Sequence, residues 1–422
     1  MERYSEYKDS GVKWLGEIPS HWDMLAIKHI LKLKKNIVGK QSSQFDLLSL
    51  TLKGVVKRDM ENPEGKFPAS FDAYQIVEPN DFIFCNFDNE ETPRAVGLSP
   101  YKGMITGAYD VLFRKNSKLT DKFLIYYFLY IDDAKRFKPL YKGLRKTVPF
   151  DSFMSYKIPI PSLKEQDAIV SYLDSVTAKI DEAIAQQQKM IDLLNERKQI
   201  IINKAVTKGL DPNVKMKPSG IDWIGEIPEH WEKKRGKFLF RIVNDLSTTG
   251  DEELLSVSDK TGVTPRSMKN VNMFMSESLV GYKKCQIGDV CSNIMWMWHG
   301  AVGVSKYEGV ISPSYGVYRQ IKKKYLDSFL DMLLRIPKLV NYYSVLSTGL
   351  TESRLRLYPS DFLNIYFFVP PIDEQKDIEL YLKKICIPID SAIENAENQI
   401  SLLQERKQII INDVVTGKVK VV

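Results

Sequence analysis

Cysteine and histidine are scarce in this 422-residue chain, with four of each. Cys85, Cys285, Cys291 and Cys386 show no CxxC spacing, so no zinc site is legible and the thiols read as reduced. No apolar run approaches the roughly 20 residues of a membrane span, and the opening MERYSEYKDSG is too polar for a signal peptide. The expectation is a cytoplasmic protein with no membrane partner. Catalytic motifs are missing as well. There is no GxxxxGK[ST] phosphate loop and no glycine-rich strand-to-helix turn for a nucleoside cofactor. No Asn-Pro-Pro-Tyr run occurs, since Asn62-Pro63 continues into Glu64 and Gly65. Asp59 followed by Glu64-Gly65-Lys66 loosely mimics a nuclease cluster, but the matching SVSDKTGVTPR has no such carboxylate pair, and the stretch reads as a solvated loop. The expectation is a chain with no catalytic, cofactor-binding or metal-binding residue of its own.

What the chain does have is a copy of itself. The segment EQDAIVSYLDSVTAKIDEAIAQQQKMIDLLNERKQIIINKAVTKGL (Glu165–Leu210) returns as EQKDIELYLKKICIPIDSAIENAENQISLLQERKQIIINDVVTGKV (Glu374–Val419). Glu165 aligns with Glu374, Ile180 with Ile389 and Arg197 with Arg406, always 209 positions on. Apolar residues at Ile169, Leu173, Val176, Ile180, Ile184, Ile191, Leu194 and Ile201 follow a coiled-coil spacing. The copy repeats it at Ile378, Leu382, Ile385, Ile389, Ile393, Ile400, Leu403 and Ile410. The spacing predicts two long helices of about 35 to 40 residues, each about 55 Å. Pro388, where the first copy has Lys179, predicts a kink or a shortened second helix. Ile180, Ile184, Ile191, Leu194 and Ile201, with Ile389, Ile393, Ile400, Leu403 and Ile410, are the candidate helix seam and subunit-docking residues.

A second block repeats at the same interval. SGVKWLGEIPSHW (Ser10–Trp22) returns as SGIDWIGEIPEHW (Ser219–Trp231), and its tryptophans read as a structural plug. A 209-residue period is too long for a solenoid and indicates a duplicated domain pair. Between block and helix lies a globular head. In the first, DLLSLTLKGVVKRD reads as strand, glycine turn, strand, PNDFIFCNF and GMITGAYDVLFRK as one strand each, and KLTDKFLIYYFLYI as a helix capped by Thr120 or Asp121. In the second, Gly303, Tyr307, Gly309 and Tyr315 match Gly97, Tyr101, Gly103 and Tyr109, and YLDSFLDMLL is the equivalent helix. Pro161 and Pro370 precede the helices, where a missing N–H costs nothing. The fold class is therefore α+β: two similar mixed α/β heads and two long coiled-coil helices in an internal repeat. The expected boundaries are head one 1–160, first helix 161–210, head two 211–369 and second helix 370–422.

The frame is nearly copied while the heads have diverged, which suits two heads that read different things. Net charge is +7, compatible with a polyanion partner. Phosphate contact needs Lys and Arg near turns, and base readout needs polar or aromatic groups at groove edges. In head one the candidates are Lys53, Lys57, Arg58, Arg94, Lys142, Arg145 and Lys146. In head two they are Lys260, Arg266, Lys269, Lys283, Lys284, Arg354 and Arg356. Tyr109, Tyr315, Trp296 and Trp298 read as core packing, with base stacking as the alternative.

The diverged heads, the WxGxIPxHW block, the proline-led Glu-Gln hinge and the LLxERKQIIIN helix together resemble the specificity subunit of type I restriction–modification systems. The likeness spans essentially the whole chain. It implies two target recognition domains, each reading one half of a split, asymmetric site in double-stranded DNA, with the two helices packed antiparallel in a pseudo-twofold arrangement as spacer and as seats for two methylation subunits. It also implies that this chain is not an enzyme. Adenine-N6 methylation with S-adenosylmethionine, and ATP- and Mg-dependent translocation and cleavage by endonuclease subunits, would belong to partners. On that reading, a heptad-sized insertion in the Ala183–Gln188 region lengthens the spacer without altering either half-site. A coiled-coil scaffold binding protein or RNA stays open as the second reading.

Overall fold

A computed structural model describes the chain except residues 1, 61–67, 69, 270–277, 352–353 and 422. The Glu64-Gly65-Lys66 stretch therefore lies outside the described residues. The chain divides into two units, one made of residues 1–188 and 398–422, the other of residues 189–397. Both long helices form and exceed their expected length: Leu163–Lys208 has 46 residues and Ile372–Val415 has 44. At 1.5 Å per residue these are about 69 and 66 Å of helix. The apolar seam ends near Ile201 and Ile410, but the helices continue because their last turns enter a globular core. Pro388 does not shorten the second helix, which runs on beyond it for seven turns; the proline ring sits on the exposed side while Ile389 next to it is buried.

Each unit is assembled from both repeats. In the first unit, Ile169, Val170 and Leu173 from the start of the first long helix and Ile411, Val414 and Val415 from the end of the second share one core with Trp22, Phe84, Phe123 and Phe153. In the second unit, Ala205 and Val206 from the end of the first helix join Ile378 and Leu382 from the start of the second, with Trp231, Phe329 and Phe368. Val415 and Val206, 209 apart, are both fully buried. Burying one such aliphatic side chain stabilises by about 1.5–3 kcal/mol, so each head is held shut by the other repeat's helix.

The sheets match one for one. A four-stranded sheet in the first head orders Leu31–Lys34, Asp110–Arg114, Phe82–Phe84 and Val96–Leu98. In the second head it orders Phe240–Ile242, Gly316–Gln320, Val290–Ser292 and Val302–Val304. The predicted hairpin is present as Leu48–Thr51 paired with Gly54–Lys57, turning at Gly54 with φ of 93°. The stretch GMITGAYDVLFRK is two strands rather than one. Gly103–Ile105 pairs with Gln75–Val77 and Asp110–Arg114 joins the large sheet, because the turn Thr106–Tyr109 carries the chain between sheets. The helix Asp121–Asp133 is capped as predicted, Phe123 N–H donating to Thr120 Oγ1 at 3.2 Å. Beyond Asp327–Leu334, the second head adds a helix, Pro337–Leu346, that the sequence did not announce.

Candidate DNA interface and helix seam

The repeated tryptophan block and the Glu-Gln pair turn out to be two halves of one joint. Trp22 is fully buried, and its indole N–H donates to Glu165 Oε1 at 3.2 Å, while His21 Nε2 lies 2.8 Å from the same oxygen. The other carboxylate oxygen accepts from Ser162 N–H and hydroxyl at 3.0 and 2.8 Å, a cap on the first helical turn. Burial works to raise the Glu165 pKa, but the hydrogen bonds from His21, Ser162 and Trp22 outweigh it and hold the carboxyl at about 2. Gln166 completes the joint by accepting from Thr120 N–H and donating to the Lys118 and Pro161 carbonyls. The second unit repeats the His, Trp and Gln contacts but not the serine cap, since Pro371 stands where the first has Ser162. Glu374 accepts from Trp231 at 2.9 Å beside His230 at 2.7 Å, and Gln375 holds Leu326, Lys324 and Pro370. The tryptophans are thus packed, and the joint fixes each head to the helix that leaves it.

Along the helices the seam residues face inward. Ile180, Ile191 and Ile389 are buried, and Ile184, Leu194, Ile201, Ile393, Ile400, Leu403 and Ile410 half-buried. The pairing is antiparallel in each unit. In the first, Asp181 meets Lys407 at 2.7 Å and Gln187 donates to Gln399 at 2.9 Å. In the second, Lys198 meets Asp390 at 2.6 Å. The ion pair Asp181–Lys407 becomes Asp390–Lys198 under the 209-residue shift, so one registering contact is built twice. Next to the seam, Leu193 and Ile200 are 55% and 59% exposed, and their copies Leu402 and Ile409 are 64% and 50% exposed. Spacing alone missed this outward apolar stripe, although the signal was there: it sits one position ahead of Leu194, Ile201, Leu403 and Ile410.

In the first head, Lys53 stands exposed on the hairpin turn and Lys57 pairs with Asp46 at 2.6 Å. Arg58, half-buried, donates its backbone N–H to Leu47. Arg94 is turned inward, 2.9 Å from Asp133 and 3.7 Å from Asp132. Lys142 and Lys146 flank an exposed turn closed by backbone bonds between Lys142 and Thr147. Arg145 in that turn grips Asp88 through Nε at 3.1 Å and lowers the carboxyl's pKa. Lys142, Arg145 and Lys146 are therefore brought together, while Arg94 is held apart by its carboxylates.

In the second head, Lys260, Arg266 and Lys269 surround the hairpin Leu255–Ser258 and Gly262–Pro265. Lys260 is exposed, Arg266 half-buried, and Lys269 donates to Ser258 Oγ at 3.1 Å. Lys283 and Lys284 lie on a different two-stranded sheet. Lys283 donates to the Tyr315 carbonyl at 2.7 Å with its pKa lowered by burial, and Lys284 pairs with Glu252 at 3.2 Å. Arg354 is exposed, and Arg356 donates to the Leu355 carbonyl at 2.8 Å. Tyr109 and Tyr315 are half-buried, and Asn293 Nδ2 donates to the Tyr315 hydroxyl at 2.8 Å. Trp296 departs from core packing. It is 54% exposed and stacks on Trp298 at 5.8 Å, because the turn Met297–His299 lifts it off the core.

Comparison with known proteins agrees with this architecture. Residues 96–191 match the family described as the type I restriction modification DNA specificity domain. A Methanocaldococcus jannaschii protein carrying the name of the MjaX type I restriction enzyme specificity subunit is 25% identical over 98% of both chains. The MjaVIII specificity subunit of the same organism is 25% identical over 76% of this chain and 75% of its own length. A chain from a structure of complex assembly and conformational transition in a type I R-M system has the same fold, with a TM-score of 0.61 and 14% identity over 94% of this chain and 98% of that one. Among the described residues, no helix is long and apolar enough to cross a membrane. In its family match over residues 96–191, in its relatives and in its fold, the chain is similar to the specificity subunits of type I restriction–modification systems.

Proposed function

We propose that each head reads one half of a bipartite, asymmetric site in double-stranded DNA, and that the paired helices set the unread gap between the halves. The observation that carries this reading is the unequal divergence of the two repeats. The His-Trp-Glu joint, the Gln brace and the registering ion pair are the same in both copies. The exposed cations of the heads are only partly shared: Lys53 is matched by Lys260, but Lys57 falls where the other head has Pro265, and Lys142 where it has Thr348. A shared frame with different surfaces is what two half-sites of different sequence require. Sequence-specific contact falls to the exposed loop residues, and cations already paired to carboxylates position the loops.

The outward stripe of Leu193 and Ile200, repeated as Leu402 and Ile409, supports docking of two methylation subunits, one on each copy. In this proposal S-adenosylmethionine, ATP and magnesium act on the methylation and endonuclease partners, and this chain contributes recognition and geometry. Methylation mapping of DNA from cells expressing the chain with its methylation subunit tests the reading. Two short specified segments separated by a fixed gap support it, and a single contiguous site or no site contradicts it.

A further inference from the structure

A strongly cationic cleft lies on the second unit, at residues that the sequence did not single out. In the second unit, the strand Glu232–Arg235, the turn Gly236–Phe238, the start of the strand Tyr366–Val369 and the segment after Gln320 enclose an open cleft of about 650 Å³. Lys233, Lys234, Arg235, Lys237, Lys322 and Lys324 line it. Register explains part of the arrangement. Arg235 lies opposite Tyr366 and Lys233 two residues before it on the same face, so both cations stack on that ring, at 5.1 and 4.6 Å. Lys237 lies 5.2 Å from the ring of Phe238, which is itself 66% exposed.

Counter-charge is thin. Glu232 takes Lys234 at 2.7 Å, and Lys233 donates to the Gly220 carbonyl. Among the described residues, Lys237, Lys322 and Lys324 have no ion-pair partner, and Arg235 Nε is buried with no hydrogen-bond acceptor. A buried donor without an acceptor is rare in folded proteins and costs free energy, as does crowding cations of one sign. Both costs are offset by a polyanion that brings phosphate oxygens to the cations and a sugar face to exposed aromatic rings.

We infer that this cleft is a sequence-independent seat for the phosphate backbone of duplex DNA beside the half-site read by the second head. The inference rests on the proposal that the heads read DNA. It also predicts an asymmetry between the heads. At the positions of Lys233, Lys234 and Arg235 the first repeat has Met24, Leu25 and Ala26, while Lys28 and Lys118 match Lys237 and Lys324. The first head keeps only part of the grip.

The test uses the full chain assembled with its methylation subunit. Lys237→Gln, Lys322→Gln and Lys324→Gln are combined, since these side chains carry no ion pair whose loss would unfold the head, and thermal melting checks that. The expected result is binding weakened by about tenfold on matched and unmatched duplexes alike, with the slope of log affinity against log salt shallower by about 2 to 3. The methylated sequence stays unchanged, and the corresponding triple Arg variant keeps the slope. An unchanged slope and affinity overturn the inference, as does loss of methylation-subunit assembly with DNA binding per complex intact, which would make the cleft a protein contact. Failure of the underlying proposal looks different: the unmodified complex would then show no preference for any duplex sequence.

Discussion

At the scale of residues, Glu165 joins head to helix, and its environment makes the joint sensitive to acid. Its carboxyl is held at about 2 in the folded chain against an ordinary 4.5. A carboxyl depressed on folding contributes stability that is complete above about pH 4.5 and is lost as the pH falls toward 2. Glu165→Gln keeps an acceptor for Trp22 but loses the charge; it is expected to cost about 1–2 kcal/mol near neutral pH and to flatten the acid dependence between pH 5 and 3. Urea unfolding across that range checks it, and parallel pH profiles for both proteins would contradict it. The joint was half legible in sequence. Repetition marked Trp22, His21 and Glu165 as important, but nothing in the spacing says that residues 143 and 144 apart meet on one carboxylate. The head cations were less legible still. Lys57, Arg94 and Arg145 look like free surface charge until their partners Asp46, Asp133 and Asp88 arrive from elsewhere in the chain.

At the scale of elements, the two long helices were readable because their periodicity is local. Their extra length was not, since the last turns are stabilised by cores that only the fold assembles. The exposed ion pairs Asp181–Lys407 and Asp390–Lys198 are each worth only about 0.2–1 kcal/mol, so they select register more than they add stability. Antiparallel pairing also refines the spacer prediction: a heptad placed in one helix alone slips the seam. A heptad after Gln188 matched by one after Glu397 preserves every seam contact and is expected to widen the unread gap by about three base pairs, about 10.5 Å of added helix at 3.4 Å per pair. Mapped sites with changed half-sites and an unchanged gap would count against it. The apolar stripe gives a further outcome. On the proposed assembly with two methylation subunits, Leu193→Asp with Ile200→Asp is expected to reduce their occupancy from two copies to one, read by mass measurement of the complex. Retention of two copies places the docking surface elsewhere.

At the scale of the molecule, the duplication organises everything. Each head is closed by the end of the other repeat's helix, Val414 and Val415 in one and Ala205 and Val206 in the other, so neither repeat is a self-sufficient domain. The sequence showed two heads and two helices but not this exchange, because partners more than 200 residues apart leave no local pattern. The basic cleft was hidden for the same reason: its cations come from strands and loops near 233, 322 and 366. The decisive measurement exchanges residues 25–155 for the corresponding head of one of the similar specificity subunits, with methylation mapping of DNA from cells that also express the methylation subunit. The account predicts that one half of the methylated site changes while the other half and the gap stay the same. A change in both halves, or in neither, would contradict it.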